Sequence, residues 1–116
     1  MANKDLEDRT LEFAHGVIRL CKKLEKNAVN FRLAGQLIDA STSVGANYIE
    51  AREAVSKKDY HHRVRISRKE CKESTYWLLL LKGENPEFLK EFDSFIKESR
   101  ELRNILSAMI DKTKGK

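Results

Sequence analysis

Two short stretches carry residue types at a spacing that suits metal chemistry. In Glu12-Phe13-Ala14-His15 and in Asp59-Tyr60-His61-His62 a carboxylate stands three positions before a histidine, the step that lets one helix turn two ligands toward a bundle interior. Phase argues against both. His15 lies roughly opposite the Phe13/Val17/Leu20 stripe when residues are placed at about 100° each. The second pair falls in the first turn of its helix, away from a bundle's middle. Thiol chemistry meets the same objection, because Cys21 and Cys71 sit on or beside apolar seams while His15 and His61 face elsewhere, and a free cysteine commonly packs as a small hydrophobe. Gly16, Gly35, Gly45, Gly83 and Gly115 are isolated, so no glycine-rich loop cradles a phosphate. The expectation is a chain with no catalytic residue, no metal and no cofactor.

Charge is the stronger signal. Lys58, His61, Arg65, Arg68, Lys69 and Lys72 recur at helical spacing on one sector. From Arg52 to Lys72 there are eight Lys or Arg against three Asp or Glu, a difference of +5 that equals the net charge of the whole chain. Extending the window to Glu73 lowers it to +4. Such a stripe is either a solvated helix face or a surface for polyanions. The scarcity of acidic partners on the sector and a sequence pI of about 9.3 favour nucleic acid, bound through phosphates with little sequence preference and steep salt dependence. Tyr76 shares the sector and either stacks on a base or joins a packed surface.

The elements that position these residues follow from length and punctuation. A chain of 116 residues, 41% hydrophobic and 35% charged, suits one domain spanning 1–116 with one core. The longest apolar run, Tyr76 to Leu81, is far short of the roughly 20 residues of a spanning helix. The polar start lacks the pattern of a signal peptide, and two distant cysteines make no disulfide framework, so a cytoplasmic, membrane-free protein is expected. Gly83 is expected to close helix three near Lys82 in the left-handed conformation, with Asn85 capping a fourth helix that begins at Pro86. Ser56-Lys57-Lys58-Asp59 reads as a capping box that starts helix three near Lys57, and Asn27 to Asn30 separates the first two helices.

Leu6, Phe13, Val17, Leu20 and Leu24 share one face of helix one, and Phe88, Phe92, Phe95, Leu102, Leu106 and Met109 one face of helix four. Helix two carries Phe31, Leu37, Ile38, Val44, Tyr48 and Ile49 around a small-residue centre, Ala40 to Ala46, which predicts close packing and room for a kink. Short connections between amphipathic helices predict an all-α, antiparallel up-down-up-down four-helix bundle, with the basic tail 112–116 frayed.

Helix three has three sectors. Tyr60, Val64, Ser67, Cys71, Ser74, Leu78 and Leu81 form its seam toward the bundle. About 100° away lie Ile66, Trp77 and Leu80 beside Glu70 and Glu73; a neighbouring helix covers this sector within one chain, or a second subunit does. The third is the basic stripe. Asn47, Glu50, Glu70 and Glu73 are expected to form a polar network with Arg52 or Arg63 between helices two and three, fixing register more than adding stability.

The middle of the chain, through Gln36-Leu37, Ser41-Thr42-Ser43-Val44-Gly45-Ala46-Asn47-Tyr48-Ile49-Glu50-Ala51, Ser56-Lys57-Lys58-Asp59-Tyr60 and Lys69-Glu70-Cys71-Lys72-Glu73-Ser74-Thr75-Tyr76-Trp77-Leu78, resembles the bacterial four-helix-bundle family also called the 23S rRNA intervening-sequence protein family. The motifs cover helices two and three densely and the outer helices by length and pattern. The resemblance implies a bundle that assembles as a homopentamer. Its relatives include accessory proteins of diversity-generating retroelements, which bind nucleic acid and partner a reverse transcriptase. Some members are encoded within insertions in 23S rRNA genes, which does not make them structural proteins of the ribosome. By position, Asn47, Glu50 and Glu73 match the family's polar positions. His61 stands where an apolar residue is common, and Asn27-Ala28-Val29-Asn30 departs from the family's proline or aromatic loop. A pentamer would cover the Ile66/Trp77/Leu80 sector and repeat the basic stripe five times, making weak phosphate contacts multivalent. The expected function is a non-enzymatic, homo-oligomeric bundle that binds RNA or DNA through helix three; the competing expectation is a scaffold or accessory subunit for a nucleic-acid enzyme such as a reverse transcriptase.

Overall fold

The computed structural model describes residues 5–114. Four α-helices run Leu6–Lys23 (α1), Ala28–Arg52 (α2), Lys57–Glu84 (α3) and Leu89–Lys114 (α4), with a 3₁₀ turn over Pro86–Phe88 leading into the last. Each of the first three starts on a side-chain cap: Asp5 accepts from the Glu7 amide, Asn27 from the Asn30 amide and Ser56 from the Asp59 amide. These caps satisfy donors that a helix start leaves free.

Cross-helix pairs give the topology directly. Thr10 meets Gly45 and Glu7 meets Arg52 between α1 and α2; the Ser67 hydroxyl donates to the Val44 carbonyl at 2.7 Å between α3 and α2. Lys82 pairs with Asp93, Thr75 with Ser99 and Arg68 with Ser107 between α3 and α4. Arg9 reaches Glu98 and Glu101 between α1 and α4. Between α1 and α2 and between α3 and α4 one number rises as the other falls, and Asn30–Asn85 with Val44–Ser67 does the same between α2 and α3. Successive helices are therefore antiparallel, α1 and α4 included; they pack in ring order around one core, and the described chain measures 48 × 30 × 19 Å along its principal axes.

The seam of α3 is as expected: Val64, Ser67, Cys71, Ser74, Leu78 and Leu81 are fully buried. Phe13, Val17 and Leu20 come from α1 and Leu24 from its C-cap, Leu37, Ala40 and Val44 from α2, and Phe92, Leu102 and Leu106 from α4, with Ile96 and Ile110 added. Burying each large side chain stabilises the fold by roughly 1.5–3 kcal/mol. In α2 the small residues do bring backbones together, since a Cβ on Gly45 would lie 2.8 Å from the Thr10 hydroxyl. The helix nonetheless runs unbroken, with Ser41, Thr42 and Ser43 hydroxyls bonding carbonyls three or four residues back.

Several expectations are corrected. Gly83 is helical: no glycine among the described residues has a positive φ, and α3 continues to Glu84. The reason is Asn85, which is 2% exposed and does not cap the next helix. Its side chain donates to the Leu81 carbonyl and to Asn30 and accepts from Asn30, at 2.8–3.0 Å. Asn30 is accordingly the third residue of α2, and the first connection is only 24–27. Phe31 and Ile49 are 82% and 43% exposed; about five turns separate them, so they share a phase, one that the inward-facing Asn30 and Tyr48 leave on the outside. Lys112 to Lys114, finally, continue α4, while the remaining tail residues lie outside the described ones.

Candidate functional site

The outer face of α3 brings most of the basic stripe together. Arg65, Arg68, Lys69, Lys72, Glu73, Tyr76 and Trp77 line one shallow open hollow of about 430 Å³. This is possible because the seam residues at 64, 67, 71, 74 and 78 hold the helix by its opposite side. Lys58, Arg65, Lys69 and Lys72 are exposed. Among the described residues, none forms an ion pair with Lys58, Arg65 or Lys72. Their charge is thus offered to solvent rather than neutralised within the chain.

Two members of the stripe are diverted. Arg68 is half-buried and leans on α4 through Ser107 at 3.4 Å. His61 is half-buried beside the Tyr60 ring, about one turn below the hollow. Lys69 is shared, lying 3.9 Å from Glu70 and 3.8 Å from Glu73. The stripe therefore has acidic neighbours: Glu73 stands i,i+4 from Lys69, and side chains of this length reach across a sector boundary.

The same ion pairs redraw the polar network. Glu70 and Glu73 pair with Lys69 on their own helix instead of reaching Arg52 or Arg63. Arg52 turns to α1, 2.9 Å from Glu7 and 3.7 Å from Asp5, and lies over the Tyr48 ring. Asn47 donates to the Ser43 carbonyl of its own helix at 2.9 Å, and Glu50 is exposed. Burial first, then the charge of Glu73, raises the Glu70 carboxyl above its ordinary range, with Asp39 of α2 adding to the rise and Lys69 opposing it. What gathers at the α2/α3 edge within one chain is a partly dehydrated acidic group, not a closed network.

The interface sector divides. Ile66 and Trp77 are half-buried, Trp77 packing against the core, whereas Leu80 is 38% exposed. The Trp77 ring also meets Tyr76 edge-on, with centroids 5.2 Å apart. The chain covers this sector only in part.

Elsewhere, chemistry is withheld by burial. Cys71 is fully buried and its thiol is pushed up to about 12, while burial pushes Cys21 up to about 11; both are protonated near neutral pH and poor nucleophiles. His15 is exposed. Among the described residues, no three His, Cys, Asp or Glu side chains converge as metal ligands.

Two clusters escaped the sequence reading. The Asn30–Asn85 clasp ties the α1–α2 junction to the α3–α4 junction; both residues read as helix-end signals, and only their opposing burial reveals the pair. Arg9, held by Glu98 at 2.7 and 2.9 Å and by Glu101 at 2.8 Å, is kept protonated still more firmly by the Glu98 bond. Its partners are about ninety positions away, beyond any local pattern.

The family model for the 23S rRNA-intervening sequence protein matches residues 3–108. The chain belongs to that family. A crystal structure of a protein of unknown function from the S23 ribosomal protein family, from Bacteroides thetaiotaomicron VPI-5482, is 31% identical in sequence, the match covering 91% of this chain and 98% of that one, and superposes with a TM-score of 0.82. No curated protein matches the sequence. The intervening-sequence family assignment spans all four helices, so the likeness carried by α2 and α3 extends to the outer pair. No helix among the described residues is long and apolar enough to cross a membrane.

Proposed function

We propose that this intervening-sequence family member is a non-enzymatic, cytoplasmic nucleic-acid-binding protein that presents the outer face of α3 to phosphates and works as a homo-oligomer. The observation that carries the reading is the exposure of Arg65 and Lys72, without an ion-pair partner among the described residues, in a hollow that Arg68 and Lys69 also line, with the equally unpaired Lys58 about two turns further along the helix. A helix face of this kind contacts the phosphate backbone and reads little sequence. The half-covered Ile66/Trp77 sector beside it supports assembly, with a pentamer as the family resemblance implies. Repetition of the hollow around a ring would raise weak single-site affinity by multivalency.

Fluorescence anisotropy of labelled RNA and DNA, at low and moderate salt, tests the binding; light scattering tests the assembly. Binding that falls steeply with salt and disappears in Arg65→Glu/Lys72→Glu supports the proposal, and affinity indifferent to both rejects it. Trp77→Ala should lower the solution mass; an unchanged mass removes the sector from the interface.

A second reading rests on a different place. Phe31 and Val29 are 82% and 51% exposed, and Phe31 borders a groove of about 900 Å³ between the end of α1 and the first half of α2. An exposed aromatic on an apolar groove suits a protein contact, as an accessory subunit of a nucleic-acid enzyme would make. Such a contact would survive both salt and the charge reversal.

A further inference from the structure

We infer that the α3 hollow takes unpaired polynucleotide, with one base stacked on Tyr76 and the neighbouring phosphates on Lys72, Lys69 and Arg65; this rests on the nucleic-acid reading above and goes on to say which form is bound. Tyr76 is 57% exposed, although a tyrosine ring ordinarily gains by burial. It stands in the same hollow as the four cations. Trp77 braces it edge-on at 5.2 Å and 70°, which restricts the ring's movement while leaving more than half the residue to solvent. Its hydroxyl donates to no described residue, so no hydrogen bond within the described chain engages the ring's polar end.

The cations continue from Tyr76 along the helix. Lys72 is about one turn away, Lys69 about two, and Arg65 about three, a span of roughly 16 Å at 1.5 Å per residue. A stacked strand rising 3.4 Å per nucleotide fits about five nucleotides into that length. An aromatic platform at one end of a cationic track is the arrangement that holds single strands, because every unpaired base offers a face for stacking. A duplex encloses its base faces and could use only the charges. Glu73 also lines the hollow and is 3.8 Å from Lys69, so Arg65 and Lys72 are the stronger phosphate contacts and Lys69 the weaker.

The test compares fluorescein-labelled 12-nucleotide dT and U strands with a 12-base-pair duplex, all bound to the full chain at low salt. The wild type should bind the single strands at least tenfold more tightly than the duplex. Tyr76→Ala should weaken single-strand binding by roughly 5- to 100-fold, the range of one stacked base, and leave duplex binding and solution mass unchanged. Tyr76→Phe, which keeps the ring, should retain single-strand affinity. Equal affinity for strand and duplex, with Tyr76→Ala altering neither, overturns the inference and leaves the backbone-contact reading standing. A change of solution mass in Tyr76→Ala with unchanged strand affinity also overturns it, since the ring then serves subunit contact. No binding of any probe removes the inference together with the reading beneath it.

Discussion

The inner and outer faces of α3 use the same 28 residues to opposite ends. On the inner face Val64, Cys71, Leu78 and Leu81 fill the core, and the polar groups among them are all answered: Ser67 bonds the Val44 carbonyl and Ser74 the Glu70 carbonyl. On the outer face Arg65, Lys72 and Tyr76 stand in solvent with no hydrogen bond or ion pair to a described residue. Close packing makes the first face intolerant of change, while the second contributes little to folding and is free to carry binding.

The contrast is sharpest at two adjacent leucines. Leu78 is fully buried and Leu79 is 43% exposed. Leu78→Ala should lower unfolding free energy by about 2–5 kcal/mol, and Leu79→Ala by well under half of that, measured by urea denaturation at fixed protein concentration. Comparable losses would mean that the outer face is covered in the folded assembly.

The Asn30–Asn85 clasp should come next. Asn30→Ala leaves buried amide groups of Asn85 unanswered and should cost about 1–3 kcal/mol, whereas Asn30→Ala with Asn85→Ala should cost less than the two single losses summed. Strict additivity would mean that the two amides do not depend on each other.

Titration of the buried thiol gives a slope. Cys71 holds its proton to about 12 in the fold against an ordinary 9.0, so the folded state binds the extra proton between these values. Stability from this group is complete below about pH 9 and declines as pH rises through about 12, by up to about 1.4 kcal/mol per pH unit. Alkaline denaturation followed by circular dichroism should be shallower in Cys71→Ala; an identical slope would show the thiol to be accessible in the fold.

Two glycines in α2 extend the comparison of packed and open positions. Gly45→Ala meets Thr10 and should destabilise despite a gain in helix propensity, while Gly35→Ala meets nothing within 4 Å and should stabilise by about 0.5–1 kcal/mol. The smallest effect on folding is expected from Arg65→Glu/Lys72→Glu, within about 0.5 kcal/mol, even though the same pair is expected to abolish nucleic-acid binding.

Periodicity and punctuation determined most of the architecture. The seams of α1, α3 and α4 were readable because apolar residues recur every three or four positions and burial follows that period. Ser56 marks the start of α3 for reasons local to a few bonds, while Pro86 starts the 3₁₀ turn and α4 itself begins three residues later, at Leu89. The family motifs in α2 and α3 likewise lie in the sequence itself. Tertiary structure decided what depends on partners distant in the chain. It moved the end of α3 past Gly83, because burial of Asn85 against Asn30 outweighs the local signal of a glycine. It turned Phe31 and Ile49 outward, since hydrophobicity names a residue's preference but not which phase the neighbouring helices will cover. It also sent Arg52 to Glu7 and Asp5 of α1, because a long charged side chain chooses among partners by distance in space, which spacing along one helix does not encode; Lys69 and Glu73, by contrast, form an i,i+4 pair that helical spacing itself offers.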